Sequence, residues 1–477
     1  MEDGTITRNV FGLSSKGAEE MSFRATGGNY NIMTPQEAKL IGKKTGKKLD
    51  EYTPGTQPPA ETTEVLKIRL VSPLDDGSTN DETGGIKQPG LLFGKKYTFE
   101  VESYTNKAPR DMSSIKWVMK FHSLKDNVWK EWEAKATGSR VIFEFNEPDI
   151  CGRYFHLKAY ISSKDSVEFL KTWHHNRFRF FDRKKIYKQI DERAADAWKI
   201  NQGGSSLCGM AALYYAMIKK DPASYSKLAK ELYRTGEYTI GSYILKPHEE
   251  ALAMYDVKPT DGGFTSMDMT EADWVVLATT RSKESLNDHF VYKGFEAGKV
   301  DMLKAVNWPD MLTRTCKEVA GFGNATAHDL GLNNINNKKR LVSARVHDYF
   351  SNSDLEELQK IDKSYKWGHT NLMMIDASML EDEASYTSMA DIGNDSHWVV
   401  YEGGLQFFDK SGAVTTVLDD VESLTFRIFT WGYNPATYKD TDGNNPHSKY
   451  KLLSAKAGLK IKVKSFKSNY YGYIEVH

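Results

Sequence analysis

At 477 residues the chain is long enough for two or three regions, each with its own core. Its 64 lysines and arginines balance its 64 aspartates and glutamates, so no net field draws it to nucleic acid or to an anionic membrane surface. The 3 cysteines, Cys151, Cys208 and Cys316, are too few for a disulfide scaffold, and reduced thiols are expected.

The first residues, Met-Glu-Asp-Gly-Thr-Ile-Thr-Arg, lack the basic and apolar regions of a signal peptide, and no uninterrupted apolar run is long enough to span a bilayer. Synthesis as a soluble cytoplasmic protein is the expectation, with export left to a dedicated machine. Residues 1–63 are glycine-rich and close on Thr53-Pro54-Gly55-Thr56-Gln57-Pro58-Pro59, a linker signal. Short strands at Ile6–Phe11, Glu20–Arg24 and Ala38–Ile41 need a partner surface to be stable. Ile6-Thr7-Arg8, Ala25-Thr26-Gly27-Gly28-Asn29-Tyr30 and the proline-rich exit together resemble the leader that precedes toxin domains in some bacterial type VI secretion effectors. That resemblance implies a segment docking on the secretion spike, and a toxin countered by a cognate immunity protein.

Residues 64–165 alternate apolar and polar positions. Val65–Val71, Tyr97–Val101, Ile115–Phe121, Arg140–Phe145 and Tyr154–Tyr160 read as period-two strands separated by turn residues. So many strands in so short a span predict an Ig-like β-sandwich with Trp117 as a core anchor, serving as spacer or recognition module. An Ig-like module also stands between leader and toxin in the effectors that the leader resembles. Residues 166–184 are expected to be a linker. From Trp173 to Ile200 the composition turns basic and aromatic, then helical, and reads as a solvated helix more readily than as a nucleic-acid patch.

Residues 185–477 carry the chemistry. In Asn201-Gln202-Gly203-Gly204-Ser205-Ser206-Leu207-Cys208-Gly209, the serines are N-cap candidates, and the run from Met210 to Ile218 predicts a buried helix. A cysteine at a helix N-terminus meets the positive end of the peptide dipoles, which draws its pKa towards roughly 3.5 to 7.5 and makes a nucleophile of it. The Gly-Gly-Ser-Ser loop can fold back so that the Gln202 amide joins the Cys208 N–H in an oxyanion hole. Gln202 and Cys208 at this spacing resemble the papain-like thiol hydrolases, whose site follows the order Gln, Cys, His, Asn or Asp, although Gly209 stands where papain carries a tryptophan.

The downstream partner is sought in Asp395-Ser396-His397-Trp398-Val399-Val400-Tyr401-Glu402-Gly403-Gly404-Leu405-Gln406-Phe407-Phe408-Asp409. Gly403-Gly404 signals a two-residue hairpin, which would set His397 against Asp409 across the ladder and let the carboxylate orient the imidazole. Papain-like enzymes place their His and Asn or Asp on adjacent strands in this way. Asp376, Asp391 and Asp395 are the fallbacks for Asp409. Thr430-Trp431-Gly432 is similar to the Trp-Gly that shields the His–Asn contact in that family, and also fits a core tryptophan. Gly458–His477 reads as a final hairpin. His248-Glu249-Glu250 lacks the second histidine of a zinc helix, and there is no CxxC and no phosphate loop, so neither metal nor cofactor is expected.

The expected fold is therefore multidomain: a short β-rich leader, an all-β Ig-like sandwich, and an α+β papain-like domain with its cysteine on an N-terminal helix and His397 and Asp409 on an antiparallel sheet. The expected activity is acyl transfer by Cys208 on a peptide, protein or peptidoglycan substrate, in an antibacterial effector delivered into a target cell. A peptidoglycan amidase and a glutamine deamidase or transglutaminase share the machinery. A non-catalytic spike adaptor or adhesin is the alternative from another class.

Overall fold

The computed structural model describes residues 7–9, 13–16, 21–22, 63–163, 169–258, 269–285, 290–296, 304–305, 307–328, 330, 352–376, 379, 396–430 and 461–477. Among these the chain is mixed helix and antiparallel sheet, and no helix is long and apolar enough to cross a membrane. In the leader, β1 (Thr7–Asn9), β2 (Leu13–Lys16) and β3 (Met21–Ser22) form a small sheet, while the expected strand at Ala38–Ile41 lies outside the described residues.

The next strands are β4 (Val65–Leu70), β5 (Asp75–Gly77), β6 (Gln88–Gly90), β7 (Lys96–Tyr104), β8 (Lys116–Ser123), β9 (Val128–Thr137), β10 (Arg140–Glu144), β11 (Arg153–Tyr160) and β12 (Leu170–His174). Sheets β10-β7-β4 and β12-β11-β8-β9 share one core, in which Trp117, Tyr97 and Leu91 are completely buried. Alternation of side chains across each strand places these residues on the inner faces.

Residues 169–184 of the expected 166–184 linker are no free linker. Leu170–His174 pairs with β11 as a full strand, and Phe178 and Phe181 are buried in the core of the helical region that follows. Arg234, near the end of a later helix, donates from Nη1 to the carbonyls of Asp149 and Cys151, both at 2.9 Å, and so ties the two regions together. The hydrophobic demand of the two phenylalanines, rather than the exposed basic residues between them, decides where this stretch goes.

The helices are α1 (Arg183–Ala195), α2 (Cys208–Lys220), α3 (Pro222–Thr235), α4 (Glu271–Lys283), α5 (Pro309–Glu318), α6 (Ser353–Lys366) and α7 (Val463–Asn469). Every residue of α2 from Cys208 to Ile218 is buried, as an all-round apolar pattern requires. A hairpin of β13 (Tyr238–Ile240) and β14 (Tyr243–Leu245) follows α3. The sheet beneath α2 has the order β15-β22-β16-β17-β20, made of β15 (Ala325–His328), β16 (Thr370–Asp376), β17 (Ser396–Tyr401), β20 (Ile428–Phe429) and β22 (Tyr470–Val476). A second sheet, β18-β19-β21, consists of β18 (Gln406–Phe408), β19 (Ser423–Thr425) and β21 (Ile461–Lys462).

Two expectations change here. The tail is a strand, a helix and a strand, not a hairpin, and β22 inserts between β15 and β16. The glycines and asparagines of residues 321–340 read in sequence as an irregular surface stretch, yet Ala325–His328 within it is a strand on β22. All three cysteines are free and buried.

Candidate active site

Cys208 opens α2, but no serine caps the helix. Leu207 occupies the N-cap without a side-chain hydrogen bond, and Ser206 turns aside to donate from its N–H and its hydroxyl to the two Glu296 oxygens, both at 2.8 Å. The N–H groups of Cys208, Gly209 and Trp398 therefore face the Cys208 sulfur. Burial nevertheless dominates and pushes the thiol up to about 11, while those N–H groups work in the opposite direction. The expected lowering is thus reversed, and the resting sulfur is a protonated thiol at neutral pH.

The loop before Cys208 folds back as expected. Gly203, at φ 56, takes the left-handed turn, and Gln202 O accepts from Ser205 N at 3.2 Å and from Ser205 Oγ at 2.6 Å. Gln202 is buried, and its Nε2 donates to Ser205 O at 2.6 Å, so this donor braces the loop instead of facing a bound oxygen. At the root of the loop, the Asn201 N–H points at the buried Asp273 carboxylate of α4. Asp273 in turn receives Nε and Nη2 of Arg193 from α1, both at 2.6 Å.

The far wall is Trp398 on β17. Its indole Nε1 donates to Asn307 O at 2.9 Å, and Asn307 Nδ2 donates to Ser206 O at 3.0 Å. A Cβ built on Gly209 would lie 2.5 Å from Asn307 Cβ and 3.2 Å from Trp398 Cδ1, so a side chain after Cys208 has no room. Asn307 and the Trp398 ring fill that space. Gln202 Oε1 and Asn307 Oδ1 are buried acceptors without a hydrogen-bond partner. Each such group costs about 1–3 kcal/mol, a burden that recurs where a site awaits donors.

His397 adjoins this wall, since the peptide linking it to Trp398 presents its N–H to the sulfur. The main chain of β17 between His397 and Trp398 is thereby brought beside Cys208. The imidazole is buried, and its Nε2 is hydrogen-bonded to Thr430 Oγ1 at 2.9 Å. Helix α2 is fastened over this strand by Tyr215, whose ring stacks on Phe429 with centroids 3.8 Å apart, and by Lys219 Nζ, 2.7 Å from Glu402 Oε1.

Asp409 is not brought to His397. β17 pairs with β16 and β20, whereas β18 joins the other sheet, so the predicted hairpin does not form. Gly403 and Gly404 do adopt φ of 76 and 80, but Arg427 N donates to Gly403 O at 2.8 Å and Glu402 N donates to Arg427 O at 2.8 Å. Those bonds commit the turn to residue 427, and β18 pairs with β19 instead of β17. The Asp409 carboxylate is exposed and accepts from Ser411 Oγ at 2.6 Å, Ser411 N at 2.8 Å and Ala413 N at 3.0 Å. The Ser411 hydroxyl, with these backbone donors, holds it below the ordinary carboxylate range. Of the fallbacks, Asp376 stands opposite Ser396 in the β16–β17 register, and Asp391 and Asp395 lie outside the described residues.

No protein-family model, curated protein or solved structure matches the chain. The roles of Asn307, Glu296 and Thr430 were missed from sequence. Asn307-Trp308-Pro309 does carry the signal of a helix start, with Pro309 in the first turn of α5, but nothing local says that its asparagine meets the cysteine loop.

Proposed function

We propose that the protein is a cysteine hydrolase of papain-like type in which Cys208 is the nucleophile and His397 the proton carrier. The observation carrying this reading is the Cys208 sulfur at the start of α2, facing the peptide N–H that follows His397. Because the resting thiol is protonated, His397 acts as a general base. The S–H proton passes to the imidazole as sulfur bonds to the substrate carbonyl carbon, and the carbonyl electrons move to oxygen. Collapse of that intermediate breaks the C–N bond, and His397 gives its proton to the leaving amine. Water then cleaves the thioester, its proton returning through His397 to sulfur. Thr430, bound to Nε2, fixes the ring orientation and takes the place expected for Asp409.

On this reading residues 64–165 form an Ig-like module and residues 1–63 dock on a secretion spike. The hydrolase is then an antibacterial toxin with an immunity partner. Expression of the full chain and of Cys208→Ala in a bacterium, directed to cytoplasm or to periplasm, tests both parts. The wild type should arrest growth in one compartment and the variant in neither; equal behaviour of the two proteins everywhere would sink the proposal. Arrest confined to the periplasm with release of soluble muropeptides points to peptidoglycan amide bonds. A non-catalytic adaptor draws on the burial of Cys208, and an unreactive thiol in the native protein would favour it.

A further inference from the structure

On the opposite side of the sheet order from β17, three histidines converge on one carboxylate. Residues two apart on β22 share a face, which aligns Tyr473, Glu475 and His477. β15 brings in His328 opposite Tyr473, and Thr370 opposite Val476 sets His369 beside His477. His369 Nδ1 lies 2.6 Å from Glu475 Oε1, and His328 Nε2 lies 3.5 Å from Glu475 Oε2. The His369 and His477 rings stack with centroids 4.3 Å apart. The ligand atoms of His369, Glu475 and His477 all fall within 4.8 Å of one another.

We propose that His369, Glu475 and His477 bind one divalent transition-metal ion of the zinc class. Imidazole nitrogens with a single carboxylate are the donor set of such ions, whereas calcium and magnesium take oxygen shells. The outer shell is built as well: Ser364 Oγ donates to Glu475 Oε1 at 2.7 Å, and the fully buried Asn371 lies 3.3 Å from that hydroxyl. His477 is held at its backbone by Asn324, whose N donates to His477 O at 3.0 Å. The ion would clamp β22 to β16, the part of the sheet against which the His397 strand is laid.

The test is calorimetric titration of the full chain with zinc chloride, in a Cys208→Ser background so that the thiol does not compete. One zinc per chain is expected, with no binding of magnesium. His369→Ala and His477→Ala should each weaken binding at least tenfold. His477 is exposed, so His477→Ala should keep the parent circular dichroism spectrum and decides the matter if His369→Ala fails to fold. No zinc binding by the Cys208→Ser chain, affinity unchanged by His477→Ala, or equal binding of magnesium would each overturn the assignment.

Discussion

Cys208 and Cys316 are the same side chain at opposite ends of two helices. Cys208 starts α2, and Cys316 lies in the last turn of α5, where carbonyls rather than N–H groups point out of the helix. Burial alone pushes Cys316 up to about 12, while three N–H groups facing Cys208 leave it at about 11. Cys208 retains 8% exposure and Cys316 none. The difference in acidity is small and the difference in surroundings large. What separates a candidate nucleophile from a packing residue here is access and directed donors, not a preformed thiolate.

The sharpest way to break this contrast is substitution. Cys208→Ala should lower hydrolysis on the order of 10⁴-fold or more, and Cys316→Ala should leave the rate per folded molecule unchanged. Alkylation by iodoacetamide at pH 9, read by mass spectrometry, should modify Cys208 well before Cys316 or Cys151. Its rate should climb about tenfold per pH unit towards about 11. A plateau near neutral pH would instead mean a thiolate already paired with imidazolium.

His397→Ala should cost on the order of 10²–10⁴-fold in kcat/KM. Thr430→Val, which removes one hydrogen bond, should cost about tenfold. Asp409→Ala should leave kcat/KM within about twofold and stability within about 0.5 kcal/mol, since the carboxylate only ties its own turn.

Beneath the cysteine loop, Arg193→Met strands the buried Asp273 charge and should destabilise the protein by about 3–5 kcal/mol in chemical denaturation. A gentler test uses proton linkage. Cys208 keeps its proton to a higher pH when folded than when unfolded, so between pH 9 and 11 the unfolded chain holds fewer protons and folding stability falls as pH rises. The wild type should lose about 2 kcal/mol more than Cys208→Ala across that window.

What sequence patterns could reveal follows the range of the interactions involved. The α2 helix and the strands around Trp117 were legible because periodicity is local: an unbroken apolar run must be buried, and alternation must face a core. Asp273–Leu277 and Asn371–Asp376 have similar apolar content, yet one belongs to α4 and the other to β16, a choice made by tertiary partners. The Asp409 assignment failed because it trusted a local turn, when the bonds that place Gly403 come from residue 427. Asn307 was invisible for the same reason, as its contact with Ser206 spans about a hundred residues of chain.

Strand β22 has one further consequence. It is laid down last among the five members of its sheet, yet sits between β15 and β16. Until residues 470–476 have left the ribosome, two inner rows of backbone donors and acceptors stand bare, and the platform under the thiol cannot close. On the proposed reading, the chain stays without activity until that strand has emerged and paired on both sides.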